Sequence, residues 1–110
     1  MNQIEDLGLI EISRLFQALS EPTRLQITAL LINRGSMSVS MISKELKKSQ
    51  SLISHHLSCL RNCGVVKYNK IEQNVYYEIA SDKIRVIISS AVKHVRDYGS
   101  SILSCDIIND

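Results

Sequence analysis

The sequence predicts a mainly α-helical domain that carries one small β-hairpin. Three observations support this. From Ile12 to Leu60 apolar residues recur at helical spacing, in segments punctuated by capping residues. After Gly64 the period falls from about 3.6 residues to 2. From Ile84 to Val95 the helical period returns in its cleanest form.

Each element follows from local chemistry. Ile12, Leu15, Phe16 and Leu19 define a first helix, which stops where Ser20, Glu21 and Pro22 supply a cap and a proline suited to a first turn. A second helix carries Leu25, Ile27, Leu30, Leu31 and Ile32 and ends near Gly35. Ser38 caps a short third helix with Val39, Ile42 and Leu46. Ser49 caps a fourth, which runs through Leu52, Ile53, His56, Leu57 and Leu60 to Gly64. Two short helices in tandem, the second polar at its front, form a helix-turn-helix pattern. VVKYNK and NVYYEIA then read as a hairpin, with Val75, Tyr77 and Ile79 on one face and Tyr76 and Glu78 on the other.

The last helix places Ile84, Ile87, Ile88, Ala91, Val92 and Val95 on one seam, and Gly99 is expected to end it. This divides the chain into a folded unit over residues 1–98 and a flexible tail over 99–110. The first and last helices carry more apolar surface than a small helix-turn-helix core needs. A homodimer packed through them about a two-fold axis is therefore expected.

The chain has 110 residues, enough for one domain with a modest core. Its start, MNQIEDLGLIEIS, is acidic where a secretory signal is basic, and no apolar run approaches the ~18 residues of a membrane span. The expectation is a soluble cytoplasmic protein with no membrane partner. Net charge is only +2, but it is unevenly spread. Lys44, Lys47, Lys48, Arg61, Lys67 and Lys70 face a single acid, Glu45, across residues 41–70, while the rest of the chain is acidic on balance. Such an island suits a phosphate backbone, although a plain solvated face has the same composition.

Two of the three cysteines, Cys59 and Cys63, stand one helical turn apart in HHLSCLRNCG. In a reducing compartment they read as packing residues, a redox pair or half of a metal site. Catalysis is not expected. His55 stands four residues before Cys59, but no glycine loop for an oxyanion and no orienting acid accompany the pair.

The segments ALSEPTRLQITALL, SQSLISHHLSCLRNCGVV and NVYYEI together resemble the ArsR/SmtB family of dimeric winged-helix repressors over roughly residues 10–98. The resemblance implies operator binding as a dimer and, in many members, release by a metal ion. It places Gln50, Ser51, Ser54 and His55 where base edges and phosphates are met, and their hydrogen-bonding chemistry fits. Lys44, Lys47 and Lys48 would contact phosphate, as would Lys70 on the wing. For His56 the favoured reading is a core histidine. The wing departs from the family pattern. Its turn reads KIEQN, without the glycine and arginine that are common there, so weak wing contacts are expected.

Three metal-site locations of the family can be tested on the residues. Ser38-Val39-Ser40 stands where arsenic and antimony sensors carry Cys-Val-Cys, so that site is absent. On the last helix Ser81 and Lys83 replace one ligand pair, leaving only His94 and Asp97. HLSCLRNCG with a further cysteine about forty residues on is similar to the CmtR-type cadmium and lead sensors within the family, which implies Cys59, Cys63 and Cys105 as ligands. Three thiolates favour Cd(II) or Pb(II), and Zn(II) would want a fourth ligand.

Overall fold

The structure is a computed structural model that describes residues 8–107. Parts of both proposed units, residues 1–7 and 108–110, therefore lie outside the described residues. The elements run α1 (Leu9–Ser20), α2 (Pro22–Arg34), α3 (Val39–Leu46), α4 (Gln50–Asn62), β1 (Val66–Ile71), β2 (Asn74–Ile79) and α5 (Asp82–Leu103). This is a winged helix-turn-helix: α3 and α4 form the tandem pair and β1–β2 the wing.

The caps fix where the helices begin. Between α1 and α2 the capping group is the Glu21 carboxylate, which accepts from the backbone N–H groups of Thr23 and Arg24 at 3.0 Å each, with Pro22 in the first turn. Ser38 accepts from Met41 N and Ser49 from Leu52 N, as their positions predict. Gly35, at φ 91°, donates to Leu31 O and closes α2.

The core is contributed by every element. Ile27, Leu31, Ile42, Ile53, Leu57, Leu60 and Val65 are fully buried, with Leu19, Met37, Ile79 and Ile84 around them. The wing pairs Val66 with Ile79 through Ile71 with Asn74, antiparallel, about a two-residue turn of Glu72 and Gln73. Met37 adds a bridge to Tyr77, with backbone hydrogen bonds of 3.0 and 2.8 Å in the two directions. Sequence periodicity misses that bridge, because a single paired residue has no repeat.

Two boundaries differ from expectation. α4 ends at Asn62, with Cys63 as its cap and Gly64 at φ 74° beyond it. α5 does not end at Gly99 but continues to Leu103. A glycine in mid-helix costs roughly 1 kcal/mol, which its helical neighbours on both sides can offset. Beyond Ile88 the apolar seam of α5 emerges from the core: Val92, Val95, Tyr98 and Ile102 are exposed, as are Leu9, Ile10 and Phe16 on α1. Among the described residues no helix is long and apolar enough to cross a membrane.

Candidate nucleic-acid interface and thiol site

Helix α4 has two faces with different work. Ile53, His56, Leu57 and Leu60 turn inward, while Gln50, Ser51, Ser54 and His55 are exposed on its first turns. Those four polar residues thus share one surface at the front of the helix, the geometry that lets a helix enter a major groove end-on. The turn before it is held by the Ser43 hydroxyl, which donates to Lys48 O, and by Lys48 N, which donates to Ser43 O. Lys44 and Lys47 are exposed and Lys48 is half-buried beside the start of α4. Lys47 takes the left-handed conformation, φ 57° and ψ 45°, at the cap of α3.

The wing stands apart from this cluster. Lys70 is exposed on β1, and the turn carries Glu72 at φ 58° where glycine is the ordinary choice. Lys67 is drawn to Glu78 at 3.5 Å. The Arg61 guanidinium lies 4.3 Å from the centroid of Tyr68, tying the end of α4 to the first wing strand.

Behind the exposed polar face of α4 lies a polar cluster that periodicity did not reveal. His56 is buried, and its Nδ1 lies 3.3 Å from Arg24 Nη1 and 3.6 Å from Glu21 Oε2. Burial holds the His56 imidazole below its ordinary pKa; Glu21 opposes this, while Arg24, His55 and Lys48 add to it. Burial would raise the Glu21 carboxyl, but the Thr23 and Arg24 N–H donors and the His56 and Arg24 charges outweigh it and hold Glu21 below the usual carboxylate range. The expectation of a core histidine at 56 agrees with its burial. Its partners could be suspected only from the charged residues of SEPTR, 32 residues upstream in the case of Arg24.

Cys59 and Cys63 are brought together at the far end of α4. Cys63 N donates to Cys59 O at 3.1 Å, which sets the two cysteines one turn apart, with the Cys59 thiol near enough to influence that of Cys63. Burial pushes the Cys63 thiol up, the Cys59 charge and hydrogen bond push it further, and Arg24 opposes them. Cys63 also lines a groove of ≈ 310 Å³ against α1, with Ile10, Glu11, Arg14, Leu15 and Asn62. Cys105 is half-buried just beyond α5, where its N–H donates to Ile102 O. Among the described residues no three His, Cys, Asp or Glu side chains gather into a group that could hold a metal ion. The soft thiol donors do suit a soft ion.

A winged helix-turn-helix with a polar reading helix defines a DNA-binding regulator. The family model for the bacterial regulatory protein, arsR family, matches residues 21–68. An uncharacterized HTH-type transcriptional regulator of Methanocaldococcus jannaschii, MJ1325, is 45% identical over 76 residues, covering 69% of this chain and 85% of that protein. The cadmium resistance transcriptional regulatory protein CadC homolog of Staphylococcus aureus is 31% identical over 91 residues, 83% of this chain and 75% of that one. The homodimeric winged helix-turn-helix DNA-binding domain of Mb0332 from Mycobacterium bovis superposes with a TM-score of 0.76 at 25% identity, covering 90% of each chain. The chain belongs to the ArsR family of transcriptional regulators, and is a DNA-binding protein rather than an enzyme.

Proposed function

We propose that this protein is a homodimeric cytoplasmic repressor that leaves its operator when Cys59, Cys63 and Cys105 bind a soft divalent ion, Cd(II) or Pb(II), with Zn(II) as a weaker alternative. The observation that carries the reading is the meeting of Cys59 and Cys63 at the end of the same helix that presents Ser54 and His55. A third thiolate would complete an all-sulfur set, and Cys105 of the partner subunit is the candidate. Residues 99–110 then act as the ligand-bearing extension of the 1–98 unit, although the helix itself reaches Leu103.

Dimerisation is supported by the exposed apolar residues of α1 and α5 and by the homodimeric Mb0332 fold. Gln50, Ser51, Ser54 and His55 would meet base edges and Lys44, Lys47, Lys48 and Lys70 the phosphates. Metal and DNA binding oppose one another reciprocally, and a coupling of ~3 kcal/mol weakens operator binding about 150-fold.

The test is DNA affinity with and without Cd(II), on a duplex selected from random sequence by the metal-free protein. Wild type is expected to release the duplex, while Cys59→Ser, Cys63→Ser and Cys105→Ser bind it and hold on. Retention by wild type in Cd(II) would overturn the metal reading. Release by peroxide instead would favour a thiol-redox regulator, for which the adjacent Cys59 and Cys63 thiols also provide a basis.

A further inference from the structure

The Arg24 side chain bonds to two other helices at once. Its Nε donates to Ala18 O at 2.8 Å and its Nη2 to Gln17 O at 3.3 Å, both in the last turn of α1. Its Nη1 lies 3.3 Å from His56 Nδ1, on the buried face of α4. With Nη1 as donor, Nδ1 carries the lone pair and the imidazole proton sits on Nε2.

The other buried side chains of α4, Ile53, Leu57 and Leu60, are apolar, and the remaining polar group facing His56 Nδ1 is the Glu21 carboxylate at 3.6 Å. Apolar burial decides which face of α4 turns inward, but it is non-directional and sets the fine rotation of the helix about its axis less sharply. A charge-assisted hydrogen bond has a preferred direction and length, and does constrain that rotation. His56 is adjacent to His55 and two residues from Ser54, so a rotation of α4 that broke its bond would swing both reading residues.

We propose that Arg24 is a positioning residue for DNA recognition, fixing the rotation of α4 relative to α1 through His56. The proposal rests on α4 being the helix that reads DNA. If α1 lies at the dimer interface, the same guanidinium also relates each reading head to the two-fold axis. Arg24 itself need not touch DNA.

The test compares two duplexes, one selected from random sequence by the wild-type protein and one of scrambled sequence, in Arg24→Lys, His56→Leu and His56→Asn, with a thermal melt of each. Arg24→Lys keeps the charge but not the fork of donors, and His56→Asn keeps an acceptor near the place of Nδ1. Losing a hydrogen bond to a charged group predicts a loss of about 10- to 100-fold on the selected duplex for Arg24→Lys and His56→Leu. Binding to the scrambled duplex is expected to stay within about 2-fold, because non-specific affinity comes from phosphates, and His56→Asn is expected to recover most of the loss. Wild-type discrimination in Arg24→Lys and His56→Leu would overturn the proposal, and so would equal losses on both duplexes with a lowered melting temperature. If the wild-type protein itself does not separate the two duplexes, the reading role of α4 fails and this proposal with it.

Discussion

Glu21 Oε2 lies 3.6 Å from His56 Nδ1, so the carboxylate that caps α2 also faces the buried side of α4. Both groups are held below their ordinary pKa, His56 first by burial and Glu21 by donors and charges that outweigh its burial. A group with a depressed folded-state pKa binds its proton more readily when unfolded, so stability rises with pH through its titration. The stabilisation from neutral His56 is therefore complete above its unfolded pKa, about 6.5, and is lost as pH falls below it; Glu21 adds a further loss below about 4.5. Thermal melts are expected to drop between pH 7.5 and 5.5, and His56→Asn should flatten that slope. An equal slope in the variant would place the titrating group elsewhere.

Lys47 offers a separation of stability from binding. Its left-handed conformation costs a residue with a Cβ roughly 1 kcal/mol, which glycine does not incur. Lys47→Gly is expected to raise stability by up to about 1 kcal/mol in denaturant unfolding. If Lys47 contacts phosphate, the same variant should bind DNA less tightly and reduce the magnitude of the slope of log affinity against log salt by about 0.9 per subunit, or about 1.8 for the dimer. A more stable protein with an unchanged salt slope would remove Lys47 from the DNA contacts.

Gly99 should be replaceable. It lies within α5 rather than at its end, and an added Cβ would meet Val95 Cγ1 at 3.7 Å, an ordinary contact. Gly99→Ala is expected to stabilise the protein by about 0.5–1 kcal/mol, read from its melting transition. Destabilisation would mean that a partner helix packs closely against this position.

These residues also show what a sequence makes legible. Ser38 and Ser49 act locally, each bonding an N–H three residues on, so their caps can be read by inspection. The α5 seam is legible because its period persists over three turns. Gly99 misleads because local propensity is a weak prior against helical neighbours on both sides. Arg24 with His56, Met37 with Tyr77 and Arg61 with Tyr68 are tertiary meetings that no repeat announces. For the thiols, the four-residue spacing of Cys59 and Cys63 sets them one helical turn apart, whereas no local spacing joins Cys105, more than forty residues on, to that pair.

The pair's chemistry makes metal loading the most direct point of attack. Burial raises the Cys63 thiol above its ordinary pKa, so an ion binding there would have to displace its proton and would bind more tightly as pH rises. The decisive measurement is a titration of reduced, metal-free protein with Cd(II), following the ultraviolet thiolate-to-metal charge-transfer band in wild type and in Cys105→Ser. The account predicts an intense band that saturates near one ion per protomer and is much reduced in the variant. A weak band that Cys105→Ser leaves unchanged would contradict a three-sulfur sensor.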